Sequence, residues 1–200
     1  SVSEPIKQLR ATFKDDTELQ NKFDKLSLKI QEFLEENKNI RRNYILTDDQ
    51  SKTIYPILSE IKSKITSANN LTDSEKKWQN QNLRIIEQIL QKTMISRDKF
   101  MAENFMWIKN NNPNSKFIVW AHNGHINKDK LRMGGFLDEK LKNDYLTFGF
   151  AFFDGTYKAM YNKDLGNVTA QTPYLGTYEY WLNSLNEPYF ILDIRKMRED

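Results

Sequence analysis

The only two histidines of this 200-residue chain, His122 and His125, stand three positions apart at the end of the run KFIVWAHNGH, residues 116–125. Imidazole is the side chain whose ordinary titration lies nearest neutrality. A pair of them suits general acid–base transfer, or hydrogen bonding to a substrate carbonyl oxygen. His-x-x-His can also offer two metal ligands, but a closed site needs at least one further carboxylate or histidine. The nearest acid in sequence is Asp129, on a polar stretch, so neither a metal nor any other cofactor is assigned. The plainest alternative makes one histidine a hydrogen-bonded loop residue. Asn123 and Gly124 between them permit an unusual backbone turn, which would aim both rings to one side.

Arg97 and Asn104 are the next candidates. Arg97 lies seven residues after Leu90 and four before Met101, and Asn104 lies seven further on, so helical spacing puts both on an apolar stripe. A buried arginine must be paired or face a polar cavity. It either forms an internal ion pair, with Asp98 or Asp193, or joins Asn104 in lining a cleft below the histidines. Met133-Gly134-Gly135 opens another helix, whose first amides could hold an anion or an oxyanion. Tight packing explains two glycines there equally well. Asp154 could orient a catalytic group, yet Asp154-Gly155 is already accounted for as a turn. The chain has no Gly-x-Ser-x-Gly elbow, phosphate-binding loop or dinucleotide fingerprint. A hydrolase built here would activate water.

The elements that must position these residues fall into two regions of one domain, a helical region over 1–112 and an α/β region carrying the histidine loop over 113–200. Leu19, Phe23, Leu26, Ile30, Phe33 and Leu34 recur at helical steps. Thr47 with Gln50, and Thr72 with Glu75, read as capping boxes. The first opens a helix that Pro56 should kink or delay. The second opens a stripe from Trp78 to Ile108, one long helix or two joined with little break. Beyond Pro113, the charge-free run 116–121 predicts a strand buried on both faces, of the parallel-sheet kind. The histidines would then sit outside its carboxyl end, where such sheets bind ligands. A helix over about 133–142 follows, then an antiparallel pair turning at Asp154-Gly155 between 145–153 and TYKAMY. A helix over 178–185 and a strand over 189–194 close the chain. The expected class is therefore α/β: a mainly helical first half, then a small mixed sheet with a central parallel-type strand and flanking helices.

Composition narrows the partners. Thirty basic and 27 acidic residues leave a net charge of +3, with no basic block of the kind nucleic acid demands. No apolar stretch approaches the roughly 20 residues that span a bilayer, so neither nucleic acid nor membrane is expected. There is no cysteine, hence no disulfide, thiolate nucleophile or cysteine-based metal site. Mean hydropathy is low at −0.74 while aromatics reach 12%, which points to an aromatic core between polar helical faces. Composition sets neither oligomeric state nor compartment; the cytoplasm is the working expectation.

RDKFMAENFMWI (97–108), IVWAHNGHI (118–126), MGGFL (133–137), DYLTFGFAFFDGTYKA (144–159) and PYFILDIR (188–195) resemble the erythromycin esterase family, in order and spacing, over roughly residues 73 to 195. The resemblance implies a metal-independent hydrolase, related to macrolide resistance, that opens a lactone or carboxylic ester by activated water on an α/β core with a large helical part. It makes His122 and His125 the histidine pair of the active cleft and Arg97 an arginine beside it, with Asn104, Asn123, Met133 and Gly134 as supporting positions. The family also carries an earlier strand ending in a Gly-Glu-x-x-His-Gly type motif, which supplies the water-activating base. No counterpart stands upstream of residue 97, where there is no histidine. The chain is therefore expected to be a fragment matching the C-terminal half of the family domain, inactive alone, in preference to a degenerate member. The alternative function is a ligand-binding module without turnover.

Overall fold

The structure, a computed structural model, describes residues 3–40, 44–161 and 164–195. It divides into two compact units, Ser1–Thr147 and Phe148–Asp200.

In the first unit, helices α1 (Ser3–Thr12), α2 (Thr17–Glu36), α3 (Asp48–Ser67) and α4 (Asp73–Ile89) surround one apolar core. The spacing of their apolar residues decides which faces meet. Leu19, Phe23, Leu26, Ile30 and Phe33 of α2 turn inward with Ile54, Ile57, Leu58, Ile61 and Ile65 of α3. Burying each such side chain contributes about 1.5–3 kcal/mol. Local chemistry starts the helices. Asp16 accepts a hydrogen bond from the Leu19 amide at the head of α2. Thr47 and Thr72 each cap an amide three residues on, while Gln50 and Glu75 bond back to the cap amides. Both expected capping boxes are thus present. Helix α3 runs unbroken through Pro56, which lies on its exposed side.

The long stripe from Trp78 is two helices. After α4, Gln91–Lys92 (β2) pairs antiparallel with Tyr44–Ile45 (β1). A third capping box, Thr93 with Ser96, then starts α5 (Met94–Asn110). Much of the join between α4 and α5 is polar. Asn104 exchanges hydrogen bonds with Gln88 and accepts one from Gln81, and Arg84 pairs with Glu103 at 2.7 Å.

A second, smaller core is built by α5, the one-turn α6 (Asn123–Ile126) and α7 (Met133–Leu141). Ala102, Ile126, Met133 and Leu137 are buried in it, with Met101, Phe105 and Phe136 packed alongside. A short 3-10 turn (Lys142–Asp144) follows.

The second unit holds an antiparallel hairpin, β3 (Thr156–Tyr161) and β4 (Asp164–Thr169), in register from Thr156↔Thr169 to Tyr161↔Asp164. Helix α8 (Tyr178–Asn183) is capped by Thr177 and occupies the stretch where a helix is expected.

Among the described residues the molecule is thus mostly helical, with two small antiparallel sheets. The central parallel-type strand is not among them. Residues 116–121 lie outside both sheets, with Ile118 96% exposed, and so do 145–153 and 189–194. The physical reason is that apolar content marks a chain fit for a sheet, whereas a strand also needs neighbours for its amides and carbonyls. The turn at Asp154-Gly155 needs the same correction. The hairpin is there, but one strand later: TYKAMY pairs with 164–169 rather than with 145–153, and its connection, 162–163, lies outside the described residues. Gly155 instead adopts a φ of 123° at the hairpin's open end, where its carbonyl accepts from the Ala170 amide at 2.9 Å.

Candidate active site

The two histidines lie on a tight loop. His122 is the N-cap of α6; its Nδ1 accepts a hydrogen bond from the Gly124 amide at 3.0 Å, and its carbonyl accepts from the His125 amide at 2.8 Å. The loop is fastened from the far side. The Ile126 carbonyl accepts from the Tyr145 hydroxyl at 2.7 Å, and Lys128 pairs with Asp138 of α7 at 2.6 Å.

Gly134 and Gly135 explain how α7 reaches this loop. A Cβ on Gly134 would stand 2.1 Å from the Ile126 carbonyl oxygen and 2.2 Å from that of Asn127. On Gly135 it would stand 2.0 Å from the Asp129 carbonyl oxygen. Each contact is with backbone, so only a residue without a side chain permits the approach. Tight packing is therefore the role of both glycines.

The anion that α7 receives is internal. Asp98 of α5 is 1% exposed, and its Oδ2 accepts from the Met133 amide, the first of α7, at 3.4 Å. A helix N-terminus favours a negative charge there. Arg132 adds its guanidinium at 3.9 Å from the same oxygen. The other oxygen, Oδ1, lies 2.8 Å from His125 Nδ1 and 3.8 Å from Arg97. It stands off the axis of the ring N–H, so the histidine contact is a close charge–dipole approach rather than a linear hydrogen bond. Arg97 completes the cluster with Nη1 2.9 Å from His125 Nε2.

Of the candidates, His125, Arg97 and Met133 converge on Asp98, and Gly134 supports the loop from below. His122 and Asn123 are exposed on the loop itself. Arg97 is half-exposed, not sunk in the apolar stripe. Asp98, one of its two expected acidic partners, lies 3.8 Å from it; within the second unit Asp193 binds Arg195, which holds its carboxyl down to about 2. Asn104 is not brought to the histidines, because its amide is spent between Gln81 and Gln88 of α4. Asp129 closes a turn by accepting from the Leu131 amide at 2.8 Å.

Asp98 is the central residue that motif reading missed. Ala102 and Phe105 follow it at four and seven residues and share its inward face, but the apolar residues that ring α5 mask that spacing in the sequence.

Among the described residues, no group of three His, Asp or Glu side chains could hold a metal, and no helix is long and apolar enough to cross a membrane. A separate open cleft of about 520 Å³ lies by the α1–α2 turn, lined by Thr12, Phe13, Asp15, Asp16 and Lys64 among others. None of the histidine-site residues borders it.

The family model described as erythromycin esterase matches residues 4–200, which takes in the helices before residue 73 as well. Erythromycin esterase type II of Escherichia coli is 30% identical over 128 residues, 56% of this chain and 30% of that protein. YbfO of Bacillus subtilis strain 168, a protein carrying a hydrolase name, is 32% identical over 111 residues, 48% of this chain and 25% of that protein. The matched part thus spans under a third of the length of either relative. No solved structure matches the chain.

Proposed function

We propose, from the premise that this chain belongs to the erythromycin esterase family, that it supplies part of the active site of a hydrolase opening a lactone or carboxylic ester with activated water. The observation that carries this reading is the fixed imidazole of His125, held between Asp98 and Arg97 and one turn of loop from His122. In such a reaction water adds to the carbonyl carbon and passes a proton to a base. Negative charge builds on the carbonyl oxygen, and the acyl C–O bond then breaks as the alcohol leaves with a proton. Donors aimed at that oxygen are the main means of lowering the barrier. An N–H of His122 and the guanidinium of Arg97 are suited to this part. The base that takes the proton from water is assigned to the segment of the family domain bearing the Gly-Glu-x-x-His-Gly type motif. The relatives' names, a hydrolase and an erythromycin esterase, support a hydrolytic reaction on a small ester or lactone.

One observation favours a second reading, a ligand-binding module without turnover: the Nε2 of His125 is already engaged by Arg97. A single experiment separates the two. His122→Ala and His125→Ala, made in the protein that carries this chain, are assayed on a panel of lactones and esters. The hydrolase reading expects hydrolysis by the parent and a loss of about 100-fold or more in each variant, the usual share of acid–base and hydrogen-bonding groups. Saturable binding with no turnover by the parent would favour the module. Unchanged rates in both variants would reject the roles assigned here.

A further inference from the structure

We infer that Asp98 is the positioning residue of His125, and that the chain's two histidines are held as opposite neutral tautomers. Donor chemistry leads to the second statement. An arginine has five N–H donors and no acceptor. With Arg97 Nη1 at 2.9 Å, His125 Nε2 must therefore present a lone pair. A neutral imidazole has one N–H, which places the proton of His125 on Nδ1, beside the Asp98 carboxylate at 2.8 Å. His122 reads the other way. Its Nδ1 accepts from the Gly124 amide at 3.0 Å, so its proton is on Nε2.

Asp98 is able to enforce this because it cannot easily leave. It is 1% exposed, and its second oxygen is held by the Met133 amide at the start of α7. Arg97, by contrast, is half-exposed and reaches the ring from the end of a long stem. The carboxylate thus orients the ring, and the arginine covers its outer nitrogen.

The consequence for chemistry rests on the hydrolase reading. The site offers one ring N–H, from His122, to an oxygen that gains charge. It also offers one ring lone pair, from His125, to a hydroxyl or water hydrogen once Arg97 turns aside. The first task is charge stabilisation and the second is orientation of the water, whose proton goes to the base assigned to the other segment of the family domain.

Two histidines make the test direct, since His122→Gln leaves a single imidazole to observe. The chain labelled with ¹⁵N is recorded for long-range ¹H–¹⁵N imidazole correlations at a pH where both rings are neutral. Expected are an Nδ1–H pattern for His125 and an Nε2–H pattern for His122. In Asp98→Asn the Nδ1–H form of His125 should fall below half, whereas Arg97→Gln should retain it. Where the intact protein hydrolyses an ester, Asp98→Asn should lower kcat, referred to the folded fraction measured by circular dichroism, at least about tenfold and leave KM within about twofold; simple loss of folded protein would leave that corrected kcat unchanged. An Nε2–H pattern for His125 in the unmutated chain overturns the inference whether or not Asp98→Asn folds. So does an unchanged tautomer in a folded Asp98→Asn. Correct tautomers with no hydrolysis would leave this inference standing and remove the hydrolase reading; wrong tautomers with histidine-dependent hydrolysis would do the reverse.

Discussion

His125 Nδ1 stands 2.8 Å from Asp98 Oδ1, joining a loop that carries both histidines to a carboxylate buried on α5. The same carboxylate caps α7, so one side chain ties together three elements.

Removing it should be felt in stability as well as in chemistry. Asp98→Ala leaves the Met133 amide without its acceptor and His125 Nδ1 without the neighbouring charge, and a buried donor left unmet costs about 1–3 kcal/mol. Urea denaturation of the variant should show a loss in that range. A loss below about 0.5 kcal/mol would mean that the carboxylate is dispensable to the loop.

Gly134→Ala tests the contact between α7 and the histidine loop. The added methyl would lie 2.1 Å from the Ile126 carbonyl oxygen, which belongs to backbone and cannot rotate away. Overpacking of this kind costs about 1–3 kcal/mol or more. The imidazole resonances of both histidines should shift together, because the loop must move as a piece. An alanine variant with the parent's stability and spectrum would contradict the described approach.

Asn104→Ala separates helix joining from substrate handling. Its amide bridges Gln81 and Gln88, so the variant should lose about 1–3 kcal/mol of stability. Any fall in hydrolysis should match the fall in folded protein. A rise in KM with unchanged stability would instead return Asn104 to the cleft.

A pH effect is expected at the head of α4. The Thr72 backbone amide, and after it the Thr72 hydroxyl, hold the Glu75 carboxyl below its ordinary 4.5. A lowered folded value means that the charged form stabilises the fold. That contribution is complete above about 4.5 and is lost as pH falls through the lower folded value. Glu75 should titrate below 4.5 by NMR, and Thr72→Ala should move its midpoint part of the way back. A parent midpoint at or above 4.5 would show that the capping box does not bias the charge.

What could be read without coordinates follows from how local each signal is. The capping boxes at Thr47 and Thr72 are complete within four residues, and both are present. The glycines of α7 were ambiguous, because their contacts lie some eight and six residues back along the chain, at Ile126 for Gly134 and Asp129 for Gly135. Asp98 was harder still. Helix α5 carries Ile95, Phe100, Met101, Ala102, Phe105, Met106, Trp107 and Ile108 around nearly its whole girth. Periodicity there could not tell whether Arg97 or its neighbour faced inward. Residues 116–121 and 189–194 mark the opposite limit. Their composition describes a strand well, but a ladder depends on a second chain segment that composition does not name.

The two glycines under the loop also bear on how such a site could diversify. With carbonyl oxygens seated where a methyl group would collide, the loop tolerates neither an inserted residue nor an independent swing. Its backbone behaves as an anvil, seated on the start of α7. Change at this site must then work through the side chains that overhang it, and through segments whose length is free to change.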